Sequence, residues 1–594
     1  MSPDEPSPDA RLLLAYLRPE RRRLLALGAT LVVAMVLPLA GPVLVGRFVD
    51  AALAGDPSST LLLLAAGFLA ATLTGDALSL VITWLSVRLA WRVGNRLRVD
   101  LCRHALSLDL DWHGDHSPGQ LIERIDGDID AVTRFSSAAV LQLVGNAILV
   151  VGVLAVAAVI DWRASLVIAI TVALAVAAML HLRRVAVPYY DEEREVQGRL
   201  YGDVEERLGG LEDLRANGAG GWAEHKLHEH SAAWWRAAKR AALRGDGSLG
   251  VAGGVFAAGS VAVLGLGAWQ CRQGALSVGA VLTLLRFSQL VSDPLWQVAE
   301  QLAEAQKAVA GTRRAARLLA TRATIVSGAD APLPPGPLEV RFDAVTFGYG
   351  TGRPVLDHLD LAIPAGTTLG VVGRTGSGKT TIGRLLCRLW DTEEGRVLVG
   401  GHDVRGLALD DLRRRIGVVT QEVELLRATL RDNLTVFGAI EADDAALERA
   451  LAAVGLDGWA ATLPLGLDQV LDGDAELSAG EGQLLAFARV LLADPGIVIL
   501  DEASSRLDPA TEARLATATA RLLEGRTAVI IAHRLATLDD VDAIAVLDHG
   551  HLVEHGPRSE LAADPTSRFA AMLDASRALA RPVAAAPAAG GAPR

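Results

Sequence analysis

The sequence predicts an α-helical transmembrane domain of six spans, followed by an α/β P-loop domain with an α-helical subdomain. Three observations predict it. Apolar runs long enough to cross a bilayer recur up to about Ala310. A glycine-rich loop ending in Lys379-Thr380 follows a short apolar strand pattern. Beyond about Pro332, short strand-like and helix-like patterns alternate as in an ordinary α/β domain.

Each span is judged against the ~20 apolar residues a helix needs to cross the hydrocarbon core. Residues 138–160 meet this, with Gln142 and Asn146 the strongly polar side chains. Residues 164–182 meet it again after the turn Asp161-Trp162-Arg163. Residues 24–45, 61–87, 249–269 and 276–298 complete the set. Arg18, Arg21, Arg22 and Arg23 precede the first span, Arg88, Arg92, Arg96 and Arg98 follow the second, and Arg183 and Arg184 follow the fourth. Basic residues mark cytoplasmic ends. The expectation is therefore a multi-pass protein of the cell membrane with its N-terminus and second domain in the cytoplasm. The stretches 88–136 and 183–245 are charged and amphipathic, and read as cytoplasmic extensions of the spans. Each carries a break suited to a short crossing helix, at 111–119 and 207–217.

The composition is consistent with this. Of 594 residues, 51% are hydrophobic, and the net charge of −12 argues against a nucleic-acid surface. Cys102, Cys271 and Cys387 lie far apart without metal-ligand spacing. Residues 1–8 are polar and acidic, so no cleavable signal peptide is expected. The domain reading is 1–320 for the membrane part, 321–337 for a Pro-rich linker, 338–575 for the P-loop domain and 576–594 for a disordered tail.

In the second domain, the strand 369–372 runs into Gly373, Arg374, Thr375, Gly376, Ser377, Gly378, Lys379 and Thr380, then into a helical pattern from Thr381. This is a complete G-x-x-x-x-G-K-[ST] in its strand–loop–helix context. The glycines let backbone N–H groups curl around phosphates, and the following helix N-terminus favours negative charge. Lys379 can reach the β and γ phosphates, and the Thr380 hydroxyl can ligate Mg²⁺. Downstream, the strand 497–500 ends in Asp501-Glu502, a carboxylate for the Mg²⁺ shell and one to polarise the attacking water. A further strand, 529–531, leads to His533, placed to sense the γ phosphate.

Between these elements stands Leu477-Ser478-Ala479-Gly480-Glu481, followed by a helix over 482–492. This resembles the ABC transporter signature, usually Leu-Ser-Gly-Gly-Gln. With six spans before it, the chain resembles a half-transporter of the ABC exporter type. The resemblance implies ATP and Mg²⁺ as ligands, with the loop 373–381 (Thr381 included) holding the phosphates and Tyr349 stacking on adenine. It implies Gln421 at Mg²⁺ and the attacking water, Asp501 at Mg²⁺, Glu502 as catalytic base and His533 as the switch. Asp508 would lie at a dimer seam. Ser478 and Gly480 would act on the nucleotide of a second half-transporter, and the two cytoplasmic breaks would be coupling helices.

The sequence departs from the pattern at Ala479, Glu481 and Gly482 of the signature, in its acidic lead-in 472–476, and at Leu425-Leu426 after Gln421. Intact cis groups beside an altered signature favour a heterodimer over a homodimer. Charged Asp76, Arg286 and Asp293 fall within spans and are candidates for the pathway. The reading is an ATP-hydrolysing exporter of a small amphipathic molecule or lipid. A regulatory ATP-binding subunit, or an importer on this scaffold, is the alternative. A soluble ATPase working on DNA or ribosomes is excluded by the spans.

Overall fold

The computed structural model describes residues 12, 15–329, 332–350, 352–421, 423–471, 477–501, 509–532 and 535–580. The chain forms two compact units, 1–107 with 116–321, and 108–115 with 322–594.

In the first unit the principal helices are α1 (Arg21–Val36), α2 (Ala40–Ala54), α3 (Ser58–Leu106), α4 (Leu110–Gly114, assigned to the second unit), α5 (Asp128–Ala139), α6 (Asn146–Ile160), α7 (Trp162–Gly209), α8 (Leu211–Ala216), α9 (Gly220–Arg272), α10 (Val278–Leu290) and α11 (Ser292–Ala320). Among the described residues, five stretches are long and apolar enough to cross a membrane: Ala15–Ala54, Ser58–Leu106, Leu143–Ile160, Trp162–Gly209 and Gly250–Arg272. The expected span 276–298 is not one continuous apolar helix. It divides between α10 and α11 at Val291. Pro294 has no N–H to donate to the preceding turn, and Arg286, Gln289 and Asp293 dilute the apolar character. Asn146 ties α6 to this point, its Nδ2 donating to the Pro294 carbonyl at 3.3 Å and to Gln297 Oε1 at 3.1 Å.

At ~1.5 Å per residue, the 49 residues of α3 extend far beyond a ~30 Å hydrocarbon core. The long α7 and α9 pair along their polar continuations, where Arg244 Nη1 donates to the Tyr189 hydroxyl at 2.7 Å and Arg240 meets Glu192 at 2.8 Å. Small residues permit the closest helix approach. A Cβ on Gly279 would lie 2.0 Å from the Gly46 carbonyl oxygen, so α2 and α10 touch backbone to backbone. Asp50 closes that seam, Oδ1 accepting from Gly279 N at 2.7 Å and Oδ2 from Ser277 Oγ at 2.6 Å.

The second unit holds two sheets. β1 (Val340–Phe347), β2 (Leu356–Ile363), β4 (Glu394–Val399) and β5 (His402–Asp403) form one in the order β2-β1-β4-β5. β3 (Thr368–Gly373), β6 (Ile416–Val419), β7 (Ile497–Asp501), β8 (Thr527–Ile531), β9 (Ala543–Asp548) and β10 (His551–Pro557) form the other, β10-β9-β3-β8-β7-β6. Only the β9–β10 pairing of this sheet is antiparallel. β3, β7 and β8 are almost wholly buried, which is why they read as unbroken apolar runs. Helices α12 (Lys379–Leu386), α13 (Leu430–Thr435), α14 (Asp444–Ala453), α15 (Ala479–Ala493) and α16 (Pro509–Leu523) complete it. At the C-terminus, helix Arg568–Ala580 covers the first residues of the expected disordered tail, because its alanines favour helix. Residues 581–594 lie outside the described residues.

The expected crossing breaks are short helices, α4 and α8. Asp109, just before α4, accepts from Thr324 N at 2.6 Å, Thr324 Oγ1 at 2.9 Å and Ile325 N at 3.2 Å. Those bonds explain why this loop clusters with the second unit.

In the first unit, the buried Asp128 on α5 accepts Arg314 Nε of α11 at 2.7 Å, and its other oxygen accepts Nη2. Arg314→Ala would leave that carboxylate buried and unpaired, and is expected to destabilise the protein by ~1–3 kcal/mol. Thermal unfolding in detergent should show a lower Tm, part of which Asp128→Ala in the same chain restores.

Candidate nucleotide site

The loop joining β3 to α12 has a backbone that only glycine accepts readily. Gly373, Gly376 and Gly378 adopt φ of 155°, 83° and 99°. A Cβ on Gly373 would lie 2.2 Å from the Leu547 carbonyl oxygen, and one on Gly378 2.6 Å from Leu356 Cδ2. Lys379 is 5% exposed, and its Nζ donates to the carbonyls of Gly373 at 2.9 Å and Arg374 at 3.0 Å. A buried ammonium is thus held inside the loop. The Ser377 hydroxyl is also buried and has no hydrogen-bond partner among the described residues, which leaves it available to a phosphate oxygen. Arg374, Thr375 and Gly376 form the exposed rim, Thr380 is exposed, and Thr381 points inward.

Sheet register brings distant residues to the same edge. Asp501 at the end of β7 pairs in register with Ile531 of β8, which pairs with Val371 of β3, two residues before Gly373. The exposed Gln421 lies two residues after the end of β6, the next strand beyond β7. The carboxyl ends of β3, β7 and β6 therefore carry the loop, Asp501 and Gln421 along one rim, where α/β sheets bind ligands. Glu502, Asp508 and His533 lie outside the described residues.

Tyr349 is not an isolated platform. Its ring meets Phe347 edge-on at 4.9 Å and Trp390 at 5.3 Å, and its hydroxyl lies 3.2 Å from Thr381 Oγ1. The Arg384 guanidinium of α12 lies 5.7 Å from the Tyr349 ring and 5.5 Å from the Trp390 ring, and Nη1 donates to the Tyr349 hydroxyl at 3.1 Å. Trp390 Nε1 in turn donates to Asp111 Oδ1 on α4 at 2.5 Å. A continuous set of contacts thus joins α4 to the first turn of the phosphate-loop helix. Sequence reading missed Trp390 and Arg384. Their only signal is an aromatic and a basic residue just beyond the loop helix, a common pattern.

Ser478 and Gly480 sit at the start of α15, with Ser478 exposed and Gly480 buried. Ser478 is the N-cap, and Glu481 closes a capping box with it. Glu481 Oε2 accepts from Ser478 N at 2.9 Å and from Ser478 Oγ at 2.8 Å, while Glu481 N donates to Ser478 Oγ at 3.3 Å. The carboxylate folds back to satisfy backbone donors that a helix start leaves unpaired, as a glutamine there also would, and its charge offsets the positive end of the helix dipole. It also accepts the hydrogen bond of the Ser478 hydroxyl. At Gly482 a Cβ would meet nothing within 4 Å, so packing does not require glycine there.

Beside Gln421 opens a cavity of about 320 Å³ between β6 and α15, lined by residues including Val418, Glu424, Val436 and Arg489. Arg489 is held by Asn433, Nε to its carbonyl at 2.6 Å and Nη2 to Oδ1 at 3.0 Å, and burial lowers its pKa from the usual guanidinium range.

The profile of the ABC transporter transmembrane region matches residues 24–295, and that of the ABC transporter matches residues 356–505. The chain is 36% identical over 495 residues to a multidrug efflux ATP-binding/permease protein of Mycobacterium tuberculosis, covering 81% of this chain and 41% of that longer one. It is 32% identical over 481 residues to a fatty acid ABC transporter ATP-binding/permease protein of Mycobacterium bovis, covering 79% and 74%. In fold it resembles a bacterial Atm1-family ABC exporter solved with ATP bound, with a TM-score of 0.77 at 24% identity over 96% of this chain and 99% of that one. The chain belongs to the ABC transporter family, with a transmembrane region and an ATP-binding region fused in one polypeptide.

Proposed function

We propose that this chain is half of an ATP-driven exporter of a small amphipathic molecule or lipid, working by alternating access. The observation that carries this reading is a phosphate loop holding a buried Lys379 on the same polypeptide as five membrane-length helices. α10 with the first turns of α11 supplies the sixth span. The membrane domain occupies 1–320, the linker 321–337 and the ATP-binding domain 338–575, in which α13, α14 and α15 form the signature subdomain. The ATP-binding domain and N-terminus lie in the cytoplasm. The relatives named for multidrug efflux and for fatty acid support an amphipathic cargo.

The loop 373–381 binds the phosphates and Tyr349 packs against adenine. Mg²⁺ would be held by Thr380, Asp501 and Gln421, and supplies charge neutralisation at the transferred phosphoryl group. Glu502 is the base that polarises the attacking water, and His533 senses the γ phosphate. ATP shifts the equilibrium because it binds the closed pair of ATP-binding domains more tightly than the separated ones. α4 and α8 transmit that closure, α4 through Asp111 and Trp390.

The Ser478–Glu481 bond favours an unequal pair. A Ser478 hydroxyl given to a carboxylate is a poor donor to the partner's nucleotide, so this chain's own cis groups work best against a different signature. That supports a heterodimer. It also sustains the second reading, a subunit that binds ATP for regulation.

Mg-ATPase of the purified chain in lipid, with particle mass measured alongside, tests the reading. Glu502→Gln should lower turnover at least ~100-fold. Brisk turnover by a dimer of this chain alone would remove the heterodimer reading, and a partnered complex with no turnover would leave the regulatory one. Glu481→Gln keeps an acceptor for the Ser478 hydroxyl and removes an anion from the helix start. It should lower the ATP concentration for half-maximal turnover roughly threefold, and no change would show that this charge is not limiting. Trp390→Phe keeps the ring and deletes the bond to Asp111. ATP hydrolysis should persist while its stimulation by amphiphile falls, and an unaltered response would discount this route.

A further inference from the structure

Tyr349 stands between two glycines, and the second, Gly350, adopts φ of 71°. Backbone at glycine is permissive, so the local chain does little to fix the ring. The side chain is fixed from α12 instead. Arg384 is exposed on that helix. It makes no ion pair among the described residues, and its guanidinium lies against two aromatic rings.

The rings of Tyr349 and Trp390 stand at 89° with centroids 5.3 Å apart. The guanidinium carbon is 5.7 Å from the first centroid and 5.5 Å from the second. It therefore sits in the corner the rings form, within the range of a cation–π contact. Nη1 also donates to the Tyr349 hydroxyl at 3.1 Å. A guanidinium carries donors alone, so the hydroxyl oxygen accepts there. Its own hydrogen is left for Thr381 Oγ1, 3.2 Å away on the buried side of α12. Phe347, buried at the end of β1, meets the ring edge-on at 4.9 Å. The ring is thus held along its body by Phe347 and Trp390 and at its tip by Arg384 and Thr381. It remains half-buried, so part of its surface is left to a ligand.

We propose that Arg384 is a positioning residue for nucleotide binding, holding the Tyr349 ring as a preformed platform on which the base stacks. A side chain already ordered costs less to bind against than one that must be immobilised on arrival. Stacking on an aromatic ring also accepts any flat base, so the platform raises affinity without reading the base edge. The arginine acts through the ring and not on the phosphates, whose positive partner is Lys379, buried within the loop. This role rests on the proposed packing of Tyr349 against adenine.

The test is equilibrium binding to the full-length protein in detergent, with EDTA present so that nothing is hydrolysed. ATP is compared with inorganic tripolyphosphate, which has the phosphates and no base. Arg384→Ala should weaken ATP roughly fivefold, the ordering of one side chain, and leave tripolyphosphate binding unchanged. Retained tripolyphosphate binding also shows that the variant is folded. Tyr349→Phe keeps the ring and deletes its hydroxyl, and should weaken ATP to a similar extent. Because both changes break one hydrogen bond, the double variant should bind ATP about as well as Arg384→Ala alone. Equal weakening of ATP and tripolyphosphate by Arg384→Ala would make the arginine a phosphate contact or a structural support, and would overturn the proposal. Additive losses in the double variant would overturn it as well. Tyr349→Ala separates the two levels. If it weakens ATP while Arg384→Ala does not, this inference alone fails. If it leaves ATP binding unchanged, the packing of Tyr349 on adenine fails with it.

Discussion

Inside a bilayer there is no water to satisfy an unpaired N–H or C=O, so every backbone group must be paired within the protein. That constraint makes the described residues from 15 to 320 almost entirely helical. Where the expected sixth span divides, Pro294 brings no N–H to the ladder, and Asn146 of α6 ties this point to its neighbour by donating to the Pro294 carbonyl and to Gln297. An asparagine that reads as a blemish in an apolar run thus fastens two helices 148 residues apart in the chain.

The second unit answers to a different constraint, that of bringing backbone close to phosphate. Gly373 and Gly378 are required because a Cβ at either would collide with neighbouring strands or loops. The same crowding buries Lys379, whose ammonium is held by loop carbonyls until an anion competes for it. The parallel arrangement of β3, β8, β7 and β6 then sets Asp501 and Gln421 along the rim that the loop defines. Where the chain departs from the familiar signature, the departure has a local logic. Glu481 completes a capping box, which stabilises α15 and makes the Ser478 hydroxyl less available. Helix stability and phosphate recognition draw on the same unpaired donors, and here the helix has taken them.

Within the second unit, α4 is held by small, specific contacts. Asp109 fixes the approach to α4 on Thr324 and Ile325, and Asp111 meets Trp390, which meets Tyr349 and Arg384. Each is a side-chain contact with named partners. Together they give α4 a discrete attachment to the nucleotide-site helix rather than a diffuse apolar footing.

The sequence by itself determined the elements whose signal is periodic or local. Of the six spans expected, five match helices that are long and apolar enough among the described residues, because lipid enforces length and composition directly. The phosphate loop could be read because its glycines and Lys379 must stand at fixed spacing to wrap a phosphate. Strands β3, β7 and β8 were visible as short buried runs for the same reason. What only the tertiary structure decided were pairings between residues far apart in the chain. Trp390 with Asp111, Asn146 with Pro294, Asp128 with Arg314, and Arg384 with Tyr349 leave no trace in spacing. Each depends on which helix faces which, and that is fixed by packing. Even Glu481, which read as a misplaced charge, needed the geometry of a helix start to show where its carboxylate goes. A one-dimensional pattern records what a residue requires of its immediate neighbours and solvent. The partner that meets a polar requirement in the interior is chosen by the fold.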